Sequence, residues 1–322
     1  MPDPIRASIG GYFGLELPIG RAWHKGAAAL NSGRNALQYL LLSKLPSKIY
    51  IPQFTCAAIA EAVSKLGIAF ERYDIDEAME PIFDFGRVAD SEVFLYTNYF
   101  GLKNHFVQRL PIRGCKVIVD NAQSFFSPRV NNLDTFYSPR KFFGVPDGGY
   151  AYGGTVRQLE RDFSSARTAH LLVRHDESAQ AGYTTYLANE ELFSSLPIRS
   201  MSTLSSRILD SIDYAEVIIK RRKNFQQLHD ELSSYNDLPI DDDCERVALT
   251  YPYLSKDFKL RERLQSYKIF TANYWPAVTP AVKKSSVEYK YATQIVHLPL
   301  DQRYEDSDMT KILNLVLNNP HA

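Results

Sequence analysis

Three short segments hold residue types that can do chemistry together. The stretch TFYSPRKFFGVPDGGYAY, beginning at Thr135, places Lys141 on a loop ahead of the Gly148 and Gly149 pair. Lysine forms a Schiff base only as the neutral amine, which calls for burial or a neighbouring positive charge, and Arg140 is adjacent. In KVIVDNAQSFF, residues 116–126, an apolar run ends in Asp120, at the place where open α/β sheets present ligands. In ALNSGRNAL, residues 29–37, Ser32 and Gly33 open a helix whose first amides point outward as a seat for phosphate. Each segment alone has an ordinary explanation. A strand-end aspartate caps a helix or holds a loop, most lysines are simply exposed, and many helices begin Ser-Gly and bind nothing. Together they supply phosphate cradle, acid and amine within one α/β unit.

Such residues need a scaffold that brings them to one edge. Residues 31–153 alternate helical patterns with short β-rich runs, the pattern of a mostly parallel sheet covered by helices. Strands are expected at 48–51, 69–75, 93–96, 116–120, 135–137 and 149–152. Asn31 and Ser32 offer a cap to the first helix, and a second helix runs from Thr55 to before Gly67. The pattern changes near Ser200. A long amphipathic stretch follows over 204–232, with a basic cluster at 220–223 that reads as a solvated helix face. After it come an acidic loop at 241–243, a β-rich VALTYPYLS, a helix over 258–267, the segments IFTANYW and IVHLPLD, and a last helix after Asp306. The fold class expected is α/β: a large domain over residues 1–199 and a smaller α+β domain over 200–322.

Composition narrows the partners. The 322 residues suffice for a sizeable core, and 37 lysines and arginines balance 37 aspartates and glutamates, so no global field recruits nucleic acid or an anionic membrane. No stretch approaches the roughly 20 apolar residues of a membrane-spanning helix. The opening MPDPIRASIGGYFGLELPIG lacks the order of a signal peptide, so a cytoplasmic location is expected. Cys56, Cys115 and Cys244 are too few and too widely spaced for a disulfide framework or zinc site. His105, His170 and His175 lack metal-ligand spacing, and no metal is expected.

The order SGRNAL, YIPQFTCAAIAEAVSKLG, VIVDNAQSF, SPRKFFGVPDGG resembles the DegT/DnrJ/EryC1/StrS family of sugar aminotransferases, pyridoxal 5'-phosphate (PLP) enzymes of fold type I. The closing IFTANYWPAV and IVHLPLDQRY are similar to that family's small domain, so the resemblance spans most of the chain. It implies that Asp120 binds the pyridine nitrogen, Gln123 meets the phenolic oxygen and Lys141 forms the Schiff base. The amides of Gly33, Arg34 and Asn35, with the Ser138 hydroxyl, would hold the phosphate. Cys56 stands where the family usually lays an aromatic residue on the cofactor ring, with Phe54 and Tyr99 as substitutes nearby. Phe136 stands where a serine often meets the phosphate, and Ser138 or Arg34 is at hand to replace it. The implied reaction moves an amino group from an amino acid such as glutamate to a nucleotide-linked keto sugar, as in surface polysaccharide biosynthesis. A homodimer with its active site at the interface is implied too, with Arg140, Asn98 and Tyr99 as further residues near the site. Two alternatives stay open: another PLP-dependent reaction, such as a sugar dehydratase or lyase, and a fold-type I binding protein without catalysis.

Overall fold

The computed structural model describes residues 9–110, 114–130, 133–155, 158–241, 243 and 245–317. Its large sheet is built from eight strands: β1 (Ala28–Leu30), β2 (Lys48–Pro52), β3 (Ala69–Ile75), β4 (Pro81–Ile82), β5 (Glu92–Thr97), β6 (Lys116–Asn121), β7 (Asp134–Tyr137) and β8 (Gly149–Tyr152). They lie in the order β1-β8-β7-β6-β5-β2-β3-β4. The inner strands pair in parallel, while β8, β1 and β4 join antiparallel. All six expected strands form. The edge strands β1 and β4 were too short to carry a period in the sequence.

Two helices cover one face of the sheet. Helix α1 (Gly33–Lys44) starts where the Ser32 hydroxyl accepts from the Asn35 amide, and it buries Leu37, Tyr39, Leu40 and Leu41. Helix α2 (Ala57–Lys65) starts two residues later than Thr55, because Cys56 takes the N-cap position, although its thiol makes no cap hydrogen bond. These helices pack on Ile49, Ile51, Val93, Leu95, Ile118 and Phe136 in one continuous apolar layer. A short helix α3 (Asn104–Arg109) follows β5, and α4 (Ala169–Asp176) and α5 (Tyr183–Leu192) form an outlying pair. None of α4 is buried.

The amphipathic stretch at 204–232 is two helices, α6 (Thr203–Asp210) and α7 (Tyr214–Leu232). Helix α6 closes at Ser211, and Asp213 opens α7, its carboxylate accepting from the Glu216 amide. The C-terminal elements are β9 (Tyr251–Leu254), α8 (Leu260–Ser266), α9 (Val287–Gln294), β10 (Ile295–Leu298) and α10 (Asp306–Leu317), with β9 and β10 paired antiparallel. IFTANYW contributes only the bridge between Ala272 and His297. This part does not enclose a core of its own. Phe225, Leu228, Leu254, Leu264 and Met309 share one buried cluster with Tyr50, Phe94, Tyr96 and Val119 of the large sheet. Near the expected boundary, Ser200 bridges to both Leu30 and Arg161. Among the described residues no helix is long and apolar enough to cross a membrane. Cys56 and Cys115 are free thiols, and Cys244 and Asp242 lie outside the described residues.

A close backbone approach fixes the start of α1. The Gly148 amide donates to the Asn31 carbonyl at 2.9 Å, and a Cβ on Gly149 would lie 2.2 Å from the Ser32 carbonyl oxygen. Only glycine lets β8 pass there. Gly149→Ala is therefore expected to destabilise the protein by about 3 kcal/mol or more, read as a lower urea midpoint. An unchanged midpoint would show that the strand does not press on the helix start in solution.

Candidate active site

The parallel pairing sets Thr97 opposite Asp120, and Asp120 opposite Phe136. The carboxyl ends of β5, β6 and β7 thus reach one level, and the turns beyond them carry the predicted residues. Asp120 is buried at the end of β6. Its Oδ1 accepts from the Ala122 amide at 2.8 Å, and its carbonyl accepts from the Asn98 amide at 3.0 Å. Burial pushes its carboxyl up to about 6, against the opposing pull of Lys141 and the Ala122 amide. Acid and amine therefore sense each other across the site.

Gln123 is buried one turn further on, where its Oε1 accepts from the Phe100 amide at 3.2 Å. Its Nε2 has no partner. Leaving a buried donor unpaired costs about 1–3 kcal/mol, so this atom is available to a ligand's acceptor. Phe100 beside it holds φ +57°, in the left-handed region, and Gly101 follows at φ +78°. That turn points the Phe100 amide at Gln123. Asn98 is occupied with structure, since its Nδ2 donates to Asn104, Asn121 and Ser124.

Ser138 packs on the opening of α1: a Cβ on Gly33 would meet Ser138 Cβ at 3.2 Å and its hydroxyl oxygen at 3.6 Å. The helix start and the hydroxyl thus form one small cradle. Asn35 contributes less than the sequence suggests, because its amide donates to Ser32 Oγ at 3.0 Å and its side chain to Asn31 and Pro197. The Arg34 guanidinium turns away to Glu61 of α2, at 2.8 Å. What remains for an anion are the first-turn amides of Gly33 and Arg34, which have no partner within the helix, and Ser138. Phe136 lies in the layer under α1, with no role at the surface of the site.

Lys141 ends a single 3-10 turn, Pro139–Lys141, and its side chain is exposed. Its Nζ lies 5.8 Å from the ring centroid of Tyr274. Arg140 does not serve as a free positive neighbour: it pairs with Glu190 and stacks on Phe193 of the chain beyond α5, at 3.8 Å. Phe54 and Tyr99 are buried in a stacked pair, 5.5 Å between centroids, capped by Trp275. Neither presents an open face. Cys56 is half-buried between the two main apolar layers.

The sequence reading missed Arg221, Tyr274, His297 and Gln302. Arg221 falls on the buried stripe of α7 with Tyr214, Val217, Asn224 and Leu228, a spacing that separates it from its solvated neighbours. His297 is buried between Phe100 and Tyr274, and burial holds it down to about 3, so it is neutral.

No family model and no curated protein matches the sequence. Solved structures do match. A DegT DnrJ EryC1 StrS aminotransferase from Brucella abortus is 17% identical, with 92% of this chain and 86% of that chain covered at a TM-score of 0.61. Sugar aminotransferase CalS13 from Micromonospora echinospora is 15% identical over 90% of this chain and 86% of that one, TM-score 0.58. NtdA from Bacillus subtilis with bound cofactor PMP is 17% identical over 90% and 72%, TM-score 0.62. The chain has the fold of these aminotransferases, fold type I, with its mostly parallel sheet and small antiparallel sheet.

The buried carboxyl sets a pH test. Because Asp120 titrates near 6 in the fold and near 3.8 ordinarily, the folded state holds its proton more tightly. That stabilisation is complete below about pH 3.8 and is lost as pH rises through about 6. In cofactor-free protein, Asp120→Asn is expected to be more stable than wild type by up to about 3 kcal/mol above pH 6, a gain that fades towards pH 4. Denaturant melts across this range check it, and a gain independent of pH would contradict the buried-carboxyl account.

Proposed function

We propose that the protein is a PLP-dependent aminotransferase whose acceptor is a keto sugar. The observation that carries this is the convergence, at the carboxyl ends of β6 and β7, of a buried acid, an unpaired amide donor, a helix-start cradle and a lysine. These residues fit the cofactor. Asp120 partners the protonated pyridine nitrogen, which supplies the charge its desolvated carboxylate lacks. Gln123 Nε2 donates to the phenolic oxygen, and Gly33, Arg34 and Ser138 take the phosphate. Lys141 carries the group covalently.

When bound, PLP supplies an electron sink for a carbanion at the amino acid's Cα. The chain supplies everything else. Asp120 would hold the ring nitrogen in its protonated form, and the Lys141 amine would be the base that takes and returns the proton at Cα. Phe54, Tyr99, Trp275 and neutral His297 are packed in the core behind the turns that carry Gln123 and Phe100. With Arg34 paired to Glu61 and Arg140 to Glu190, neither is free to hold a substrate carboxylate.

The acceptor is read as a nucleotide-linked keto sugar and the donor as glutamate, in a cytoplasmic biosynthetic route. Both rest on the resemblance to the family and on neighbours that include a sugar aminotransferase. The working unit is a homodimer with its active site at the interface. Tyr12, Phe13, Leu15 and Ile19 near one end, and Leu172, Tyr183, Leu187 and Leu192 on α4 and α5, are exposed apolar side chains that a second copy would cover.

The visible spectrum of protein mixed with PLP tests this. Wild type is expected to develop a band that Lys141→Ala lacks, and glutamate is expected to bleach it. A Lys141-dependent band untouched by any amino acid would remove the aminotransferase reading, and no band at all would remove the cofactor.

A further inference from the structure

Lys141 has few contacts of its own: its amide donates to the Ser138 carbonyl at 3.3 Å, and its Nζ lies 5.8 Å from the Tyr274 ring centroid. Its side chain is exposed, and its turn is too short to be rigid by itself. Phe142, the next residue, is buried and gripped twice from the C-terminal part of the chain. Gln302 Nε2 donates to the Phe142 carbonyl at 2.8 Å. The Arg221 guanidinium lies over the Phe142 ring, 4.6 Å from its centroid. The two gripping side chains are themselves joined, since Arg221 Nε donates to Gln302 Oε1 at 2.8 Å.

Arg221 is 1% exposed, yet its hydrogen-bond partners are all neutral: Gln302, the Ala248 carbonyl at 3.0 Å and the Leu249 carbonyl at 3.4 Å. The nearby Asp301 carboxylate spends both oxygens on Arg303, at 2.7 Å each. Burying a guanidinium without a bonded counter-ion is costly, and an apolar side chain on the same helix stripe would be cheaper. The Leu249 amide in turn donates to the Phe100 carbonyl at 2.9 Å, and the Phe100 amide bonds Gln123. One buried cation thus reaches the lysine turn directly and the Gln123 turn through one strand of backbone.

We propose that Arg221 and Gln302 are positioning residues for Lys141, fixing the ring and the carbonyl of Phe142 so that the C-terminal part of the chain sets where the amine stands. This rests on the proposed role of Lys141 as the cofactor's covalent anchor. It distinguishes the capture of the aldehyde, which needs the amine in place, from the binding of the amine form of the cofactor, which does not.

The test compares wild type, Gln302→Leu, Arg221→Met and the double variant. Three quantities are measured: the rate at which PLP becomes linked to Lys141 in a borohydride-reducible form, the affinity for pyridoxamine phosphate, and the melting temperature. Gln302 is only partly buried, so Gln302→Leu keeps the test alive if Arg221→Met fails to fold. Gln302→Leu is expected to slow the link roughly tenfold, the worth of one well-placed hydrogen bond, while pyridoxamine phosphate affinity stays within about twofold. The double variant is expected to lose less than the product of the two single losses, because the two side chains are bonded to each other and hold the same residue. Wild-type linking in Gln302→Leu, or equal losses for both cofactor forms, overturns the positioning role. Wild type that binds neither form overturns the parent reading itself.

Discussion

Asp120 sits in register between Thr97 and Phe136, and this pairing of three parallel strands decides where every other group at the site can stand. A strand advances about 3.3 Å per residue and alternates its faces. A slip of one residue in β6 would turn Asp120 to the opposite face, among the residues that pack with the C-terminal helices, and bring a neighbour out in its place. The register is protected by burial on both faces. Val117 and Val119 pack with the C-terminal helices, and Ile118 packs under α1 and α2. The hydrophobic core and the chemistry are therefore one decision made by the same six residues.

The price of that placement is local. Asp120 is stripped of water and receives one amide, Gln123 keeps an unpaired donor, and Phe100 occupies the left-handed region. Such costs persist only where the surroundings over-determine them. Here the surroundings are the Asn98 amide web below and the aromatic stack of Phe54, Tyr99 and Trp275 alongside. A ligand bearing a cation, an acceptor and a phosphate relieves several of these costs together.

Much of this was legible in the sequence. Apolar runs gave each inner strand, Ser32 announced a helix start, and Asp120 at the end of VIVD lies at the carboxyl end of β6. Other features depend on partners far along the chain and leave no local trace. Nothing around Asn35 says that its amide is consumed by Ser32, and nothing beside Arg34 says that Glu61 draws its guanidinium away. The basic cluster at 220–223 is a solvated face only in part. Lys220, Arg222 and Lys223 pair with Glu305, Glu245 and Asp306, whereas Arg221 points inward. The helical period held that distinction, but charge alone masked it. The pattern change near residue 200 does not reveal that residues on both sides of it share one buried cluster.

That shared core has a consequence for how the chain is made. Its members run from Tyr50 to Val316. As the polypeptide leaves the ribosome, the α1 and α2 face of the sheet can close early, because its buried layer is complete by Ala151. The opposite face stays bare, with Tyr50, Phe94 and Tyr96 unmatched, until the last helix has emerged. The nascent protein thus carries an open apolar sheet through most of its synthesis, a surface of the kind that chaperones shield.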